Sequence, residues 1–310
     1  GQGRYGKVYQ ARYNNNFVAV KIFPTRDEYS YKREVDLYNT LNLRHDNLLR
    51  FIACDMTSRE GEPELWIVTE FHENGSLYDF LGGNRNSIEQ NFGKESATKT
   101  ALKILSSAAS GLSYLHAKIS TTHHSFSGKD SISHRDIKTR NILIKNDFTT
   151  CISDLGLSIS ETNHQLLIND PNFNLQSGTV RHMAPEILNK NLDISIFQHF
   201  VSADVYCFSL VIWEVVNCLV LKNAYSQPYY DKVGHNPSIE MMNRVVNFQG
   251  VRPEFLGTNV EEFGSGRDST VDLQEIQKLC RKMWSFDINE RPAIAAVKLM
   301  LDELKKSIDA

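Results

Sequence analysis

Cysteine is scarce in this chain of 310 residues, and its five copies are scattered without any Cys-x-x-Cys spacing. A disulfide framework or a zinc site needs cysteines at short, repeated spacings, so the pattern argues against both and fits a reducing compartment. Net charge is also small, at −3, and no strong field of one sign favours nucleic acid or an anionic membrane. We therefore expect no nucleic-acid partner.

Long apolar runs are missing as well. The longest, at 205–221, is interrupted by Glu214 and Asn217 and is short for a bilayer span, so we expect a buried core helix there. No signal peptide is visible. Hydrophobic residues make up 41% of the chain and charged residues 23%, as in soluble globular proteins, and the length allows one large domain or two joined lobes.

Two kinds of periodicity divide the chain. In its first part, short runs rich in β-branched and aromatic residues predict strands at 7–12, 17–23 and 65–71. Helical spacing at 28–41 predicts one helix among them. After a break at 72–75 the pattern is mostly helical, with helices predicted at 96–116, 205–221, 273–284 and 293–308.

These patterns predict an α+β fold in two parts. We expect a small antiparallel β-sheet lobe with one helix over 1–70, a connector over 71–75, and a large, mainly helical lobe over 76–310. The chain also begins inside the first of its functional motifs, so we expect it to be a piece of a longer protein.

The first eight residues fit the pattern G-x-G-x-x-G-x-V. Glycines let a backbone turn tightly and approach phosphates closely. A dinucleotide-binding loop has similar glycines, but it needs a helix straight after them and an acidic residue about 20 positions further on. Here the strand-like run 7–12 follows, which favours a hairpin lying over ATP. The residues of this hairpin predicted to bind ATP are Gly1, Gly3, Gly6 and Val8.

Lys21 ends the strand-like run Val-Ala-Val-Lys at 18–21. A lysine amine directed into an interlobe cleft needs a counter-ion, and Glu34 on the predicted helix is the candidate. The pair would place the Lys21 ammonium on the α- and β-phosphates. A lone strand lysine or helix glutamate is usually just solvated, so this prediction depends on the other motifs.

Residues 134–141 read His-Arg-Asp-Ile-Lys-Thr-Arg-Asn and fit the catalytic-loop pattern H-R-D-x-x-x-x-N. In this pattern Asp136 accepts the proton of the substrate hydroxyl, and Asn141 holds a metal ion. Lys138 lies two residues after the base, where serine/threonine kinases carry a lysine that neutralises the γ-phosphate. We therefore predict phosphoryl transfer, with Asp136, Lys138, Lys21 and Asn141 as catalytic residues.

A second acidic motif, Asp154-Leu155-Gly156, follows. Asp154 is placed to bind Mg²⁺, or Mn²⁺, bridging the phosphates of ATP, so we predict a metal site made by Asp154 and Asn141. Ala-Pro-Glu at 184–186 then closes an activation segment. We expect Glu186 to pair with Arg291, a structural contact. We expect Asp204 to accept backbone amides of the catalytic loop.

In this order and spacing, the motifs make the chain resemble a protein kinase over its full length, with the bilobal protein kinase fold. More narrowly, it resembles the receptor serine/threonine kinases of the transforming-growth-factor-β superfamily. The segments that carry this resemblance are 71–77, 133–138 and 178–186, together with the long insert between His116 and His134.

Within that family, the chain is most similar to type II receptors of the activin and bone-morphogenetic-protein kind. The segments that support this are 20–24, 65–69, 71–77 and 234–238. Leu155 and the run Pro-Tyr-Tyr-Asp at 228–231 instead resemble type I receptors. His182 replaces the tyrosine that is usual in both types.

The resemblance implies further site residues. Thr69 falls at the gatekeeper position behind the adenine. Thr179 is implied to be a further catalytic residue, which contacts Asp136 and Lys138 in the substrate pocket. Arg135 is where a phosphorylated activation segment would dock. Candidate phosphorylation sites are Ser158, Ser160, Thr162 and Ser177, and the remaining residues implied to bind ATP are Ala19, Lys21, Glu34, the hinge residues Glu70, Phe71 and His72, then Leu143 and Asp154.

For a type II receptor, the resemblance implies a single-pass cell-membrane protein whose kinase domain is cytoplasmic. It would bind an extracellular ligand of the transforming-growth-factor-β family through a domain outside this chain. Its protein substrate would be a type I receptor partner. The alternatives are a type I receptor kinase that phosphorylates SMAD-type effectors, a pseudokinase scaffold, and a cytosolic signalling kinase.

Overall fold

The structure is a computed structural model, and it describes most of the chain. The described residues are 2–3, 6–41, 43–59, 62–83, 96–120, 128–171, 173–255 and 267–309.

The amino-terminal part is a five-stranded antiparallel sheet in the order β1-β2-β3-β5-β4. Its strands are β1 (Gln2–Gly3), β2 (Gly6–Tyr13), β3 (Asn16–Phe23), β4 (Phe51–Arg59) and β5 (Glu62–Glu70), and one helix, α1 (Glu28–Leu41), lies between β3 and β4 in the chain. Asn14 and Asn15 join β2 to β3 with φ of +48° and +65°. Asparagine tolerates such left-handed backbone, which produces the tight turn that two twisted strands need.

One face of this sheet packs against α1. Phe23, Leu65 and Ile67 are at most 2% exposed, and they form a small core with Tyr31 of α1 and with Leu157 from the second part of the chain. Since alternate residues of a strand point to the same face, these positions follow from the hydrophobic pattern of β3 and β5. The position of α1 against the sheet is therefore set by apolar burial.

The second part of the chain is mainly helical. Its helices are α2 (Leu77–Gly82), α3 (Ala97–His116), α4 (His164–Ile168), α5 (Pro185–Leu188), α6 (Phe197–Val215), α7 (Tyr230–Val233), α8 (Ile239–Asn243), α9 (Arg267–Met283) and α10 (Ile294–Asp309). Serine side chains cap three of them by accepting a backbone N–H three residues on, at Ser76, Ser96 and Ser238. Such a cap satisfies a donor that the first turn leaves unpaired.

The helical part also contains two short antiparallel ladders. They pair β6 (Ile132–Ser133) with β9 (Ile159–Ser160), and β7 (Ile142–Ile144) with β8 (Thr150–Ile152). The loop 134–141 runs between β6 and β7, and Asp154 follows β8. The ladders therefore hold the two acidic motifs of the sequence side by side.

Helix α6 lies at the centre of the large core. With the π-helical turn that follows it, the apolar helix Phe197–Val220 has a mean hydropathy of 1.6 and the length to cross a membrane, but 89% of that apolar stretch is buried inside the protein. The prediction of a buried core helix is thus confirmed. The helix begins earlier than the predicted residue 205, because its first two turns pack through Phe197, Phe200 and Val201 although polar residues lie between them.

The predicted pairing of Glu186 with Arg291 is confirmed. The two terminal guanidinium nitrogens of Arg291 donate to the Glu186 carboxylate, at 2.7 and 2.8 Å, and the Arg291 side chain is fully buried. The bond joins the end of the activation segment to the segment before α10. It is a parallel, two-bond arrangement, which is the strongest form of such a pair.

We expect the substitution Arg291→Met to lower the free energy of unfolding by about 3 kcal/mol, because it leaves the Glu186 carboxylate buried without its partner. Urea denaturation measures this. The control is Lys278→Met, which removes an exposed pair with Glu275 at 2.7 Å and should cost at most about 0.5 kcal/mol. Equal losses in the two variants would contradict a structural role for the buried pair.

Candidate active site

Lys21 meets two carboxylates, one from the neighbouring helix α1 and one from a distant part of the chain. Its ammonium lies 3.0 Å from Glu34 of α1 and 2.7 Å from Asp154, so the predicted pair with Glu34 is present. Burial alone would lower the pKa of Lys21, but the carboxylates of Asp154 and Glu34 outweigh it and raise that pKa above its usual value. The amine is therefore held as a cation in the cleft.

A second cluster forms around Asp136, which is 4% exposed. Lys138 donates to one carboxylate oxygen at 2.6 Å, and the backbone N–H of Thr179 donates to the other at 2.8 Å. Lys138 also donates to the Thr179 hydroxyl at 2.5 Å. The predicted contact of Thr179 with both residues is therefore present, and it brings the activation segment onto the catalytic loop.

The catalytic loop is anchored from below by Asp204, which lies on α6 and is 1% exposed. Its carboxylate accepts the backbone N–H groups of His134 and Arg135 at 2.7 and 2.8 Å, as predicted. Burial acts to raise the pKa of Asp204, but the hydrogen bond and the charge of His116 prevail and lower it. The anchoring coincides with left-handed backbone at Arg135, φ +66°, a conformation that only surrounding contacts maintain in a non-glycine residue.

Gly178 allows the activation segment to reach the catalytic base. Its φ is +122°, and an added Cβ would lie 2.8 Å from the Arg135 carbonyl oxygen and 3.4 Å from the Asp136 carboxylate. Any side chain would therefore separate the two segments. In the sequence this glycine is recognisable only as part of a family motif, because a positive φ leaves no mark of its own there.

The two predicted metal ligands lie on adjoining segments. Ser153, next to Asp154, donates its backbone N–H to the Asn141 carbonyl oxygen at 2.9 Å. The Asn141 amide nitrogen donates to Asp136, at 2.9 Å to the backbone and 3.2 Å to the side chain, which leaves the amide oxygen as the atom that can bind a cation. Burial acts to raise the pKa of Asp154, but the charge of Lys21 outweighs it and the pKa is lowered, so this carboxylate is an anion.

This donor set fits a hard divalent cation. Mg²⁺ prefers oxygen ligands and is usually held by one or two protein groups together with substrate phosphates. In the part of the chain that the structure describes, no group of three or more His, Cys, Asp or Glu side chains could hold a metal alone. Asn141 and Asp154 therefore suit a metal that arrives with a phosphate ligand.

Several of the residues predicted to bind ATP share one face of the sheet. Val8 lies opposite Lys21 in the strand register, and Ala19 lies opposite Thr69. Cross-strand partners point to the same face, so Val8, Ala19 and Thr69 lie on the face from which Lys21 reaches the cleft. Gly6 belongs to β2, and its φ of +145° is available only to glycine. Gly3 ends β1, and Gly1 lies outside the described residues.

The predicted hinge follows β5. Glu70 ends that strand, Phe71 packs on the ring of Phe17, with the ring centroids 6.3 Å apart, and His72 reaches the Cys151 sulfur at 3.3 Å. Cys151 is the register partner of Leu143 in the β7–β8 ladder. The hinge is thereby joined to the ladder that carries Leu143, another residue implied to bind ATP.

Arg135 is occupied by the activation segment itself. Its guanidinium donates to the backbone carbonyl of Asn174 at 2.7 Å, and it lies 4.7 Å from the centre of the Phe173 ring. Ser158 and Ser160, two of the predicted phosphorylation sites, are at most 3% exposed. The segment is thus held on Arg135 through main-chain oxygens, and these two serines are out of reach of another kinase in this conformation.

The site holds the Lys21 ammonium beside Asp154 and the Asp136 carboxylate beside Lys138, and the activation segment contacts Asp136. This arrangement defines the class of phosphoryl-transferring enzymes that act on proteins. The family of protein tyrosine and serine/threonine kinases matches residues 1–301, and the chain belongs to it. It is therefore a protein kinase domain, with an antiparallel β-sheet lobe and a helical lobe. Such domains use ATP and a divalent metal.

Among known proteins, the chain is similar to activin receptor type-1 of Mus musculus and of Homo sapiens, each 38% identical over 314 residues, with all of this chain and 57% of the relative covered. Activin receptor type-1-like of Mus musculus is 42% identical over 249 residues, 79% of this chain and 47% of the relative. The chain spans about half the length of these relatives.

These relatives correct the predicted subtype. The relatives are activin receptors of type 1, so the type I alternative is favoured over the predicted type II assignment. Two of the segments that suggested type II, 20–24 and 65–69, lie largely in the sheet core, where Phe23, Leu65 and Ile67 are buried. Core positions are constrained by packing more than by partner choice, which makes them weak markers of subtype.

Proposed function

We propose that this chain is the cytoplasmic kinase domain of a single-pass membrane receptor of the activin receptor type-1 kind, and that it transfers the γ-phosphate of ATP to serine or threonine. The proposed receptor binds an extracellular ligand of the transforming-growth-factor-β family through a domain other than this kinase domain. Similarity to the type-1 receptors supports this assignment. The favoured protein substrate is a SMAD-type effector, since a type I receptor partner as substrate belonged to the type II prediction.

The observation that carries the acceptor preference is the position of Lys138. Its ammonium bridges Asp136 and Thr179 at 2.6 and 2.5 Å, and so closes the space around the base. An acceptor hydroxyl one carbon from the peptide backbone suits that space better than the distant hydroxyl of tyrosine. Lys138 is also placed to offset charge on the transferring phosphoryl group.

In the proposed reaction each residue has a role set by its position. Asp136 orients the acceptor hydroxyl and takes its proton, while Lys21 and Lys138 neutralise charge on the phosphates. A divalent cation, Mg²⁺ or Mn²⁺, held by Asn141 and Asp154 supplies further neutralisation of the phosphate oxygens when it is bound. Most of the rate enhancement then comes from positioning and charge, since the protein forms no covalent bond to the phosphoryl group.

Acceptor preference is tested with four matched peptides that carry Ser, Thr, Tyr or Ala at one position, labelled from radioactive ATP with Mg²⁺. We expect Ser and Thr peptides to be labelled and the Tyr and Ala peptides to remain at background. Comparable labelling of the Tyr peptide would contradict the serine/threonine assignment. No labelling of any acceptor, nor of the kinase itself, would favour a pseudokinase scaffold.

Substrate class is tested separately with a SMAD-type effector and a catalytically inactive activin receptor type-1 kinase domain as competing acceptors. The type I proposal expects preferential labelling of the effector. Preferential labelling of the receptor domain would restore the type II hypothesis. The peptide experiment and this one therefore fail independently.

A further inference from the structure

Glu214 of α6 is a buried carboxylate that the proposed mechanism does not use. It is 1% exposed, and three side chains bind it: Thr139 at 3.1 Å, Tyr225 at 2.5 Å and His182 at 3.0 Å. Burying a carboxylate is costly unless several donors satisfy it. The buried Glu214 carboxylate therefore fixes the positions of these three donor side chains.

The donors come from separate parts of the site. Thr139 directly follows Lys138 in the catalytic loop, and His182 lies three residues beyond Thr179 in the activation segment. Tyr225 belongs to the loop after α6, and its ring packs edge-to-face against the ring of Tyr78. The centre of the Tyr78 ring lies 3.4 Å from the guanidinium carbon of Arg140. Both Thr139 and Arg140, the two residues before Asn141, are thus linked to Glu214.

The activation segment is consequently joined to the catalytic loop near the base by two kinds of contact. One is direct, where the Thr179 backbone donates to Asp136 at 2.8 Å. The other is indirect, from His182 through Glu214 to Thr139. The direct contacts hold the segment at Thr179 and, through Arg135, at Asn174, and the indirect one adds a further position at His182. The added position constrains the orientation of the segment relative to the base.

We propose that His182 is a positioning residue of phosphoryl transfer, acting through Glu214 to keep the acceptor-holding segment in register with Asp136. This inference rests on the proposed protein kinase function. The second ring nitrogen of His182, Nδ1, is buried and has no hydrogen-bond partner in the part of the chain that the structure describes. The bond from Nε2 to Glu214 is therefore the polar contact through which the ring acts.

The residue type at 182 fits this role. Tyrosine is usual here in the receptor kinases that the chain resembles, and a phenol can donate to a carboxylate as an imidazole N–H does. Phenylalanine fills similar space but cannot donate. The donor and the ring can therefore be separated by substitution.

The test compares His182→Phe, His182→Tyr and the control His235→Phe, whose parent side chain is exposed. Steady-state kinetics are measured for ATP and for a protein acceptor. We expect His182→Phe to lower kcat/KM for the acceptor about 10- to 100-fold through misplacement of the segment, with KM for ATP unchanged. His182→Tyr should restore most of the loss, and the control should match the native kinase.

A purely structural role would give a different pattern. ATP and acceptor parameters would then fall together, and His182→Tyr would be no better than His182→Phe; either result would overturn the proposal. If the native kinase labels no acceptor, the proposed function fails instead, and the two failures remain distinguishable.

Thr139→Val tests the same bridge from its other end and covers the case in which His182→Phe does not fold. We expect a similar loss for the acceptor alone. Because both residues act through one carboxylate, the double variant should lose about as much as the worse single variant. Losses that multiply would show that His182 and Thr139 act independently, which contradicts the bridge.

Discussion

Replacing Asp136 with asparagine is expected to stop phosphoryl transfer while ATP still binds. The amide cannot take the acceptor proton, and removing a general base typically costs about three orders of magnitude in rate. The Asp136 carboxylate accepts one hydrogen bond from the Lys138 ammonium and one from the Thr179 backbone N–H. Because asparagine is neutral, the bond from the charged Lys138 weakens more than the bond from the backbone. Initial rates with a protein acceptor measure the loss.

ATP binding to Asp136→Asn is measured by titration in the same buffer, and we expect its affinity to stay within about threefold of the native value, since uniform binding is untouched. The matched control is Asp231→Asn, an exposed aspartate of α7 whose side chain is 71% exposed. Native rates in that control with a lost rate at Asp136 support the assigned role. Phosphorylation retained by Asp136→Asn refutes it.

The second large effect is expected from Lys21→Arg, which keeps the charge and changes its shape. The ammonium fits between Glu34 and Asp154 at 3.0 and 2.7 Å, and a planar guanidinium cannot occupy the same point. Arginine keeps the charge but displaces it, and loss of one well-placed donor to a transition state typically costs about 100-fold or more. We expect kcat to fall by that order, measured with saturating ATP.

Lys278→Arg is the matched control, because Lys278 is exposed and makes only a surface pair with Glu275. It should have native activity. A near-normal turnover in Lys21→Arg would show that the contact with Glu34 does not position the phosphates. Thermal melts of both variants exclude a general loss of folding.

Much of the fold could be predicted from local pattern. Alternating apolar residues located β2, β3 and β5, and helical spacing placed α1 at its observed bounds of Glu28–Leu41. Strand β4 was missed. Ile52, Asp55 and Met56 are exposed in it, because an edge strand has one side without a strand partner and little pattern to read.

For the candidate site too, some contacts could be predicted from the sequence and others could not. The contacts of Lys21 with Glu34 and of Asp136 with Thr179 agree with predictions from motifs, since these residue types recur for one chemistry. The engagement of Arg135 by the Asn174 carbonyl was not predictable, because a backbone oxygen carries no sequence signal. Subtype was also misjudged, since core segments preserve packing rather than partner choice.

The sequence by itself indicated the class of chemistry: a predicted base, two lysines, an amide and a carboxylate stand at the spacings of protein kinase motifs. The tertiary structure alone decided how Glu214 joins the catalytic loop to the activation segment and how Gly178 lets the two segments meet. The physical reason is that a side chain's reactivity is local, whereas its orientation depends on buried partners that lie far away along the chain. Contacts such as His182 to Glu214 exist only after folding.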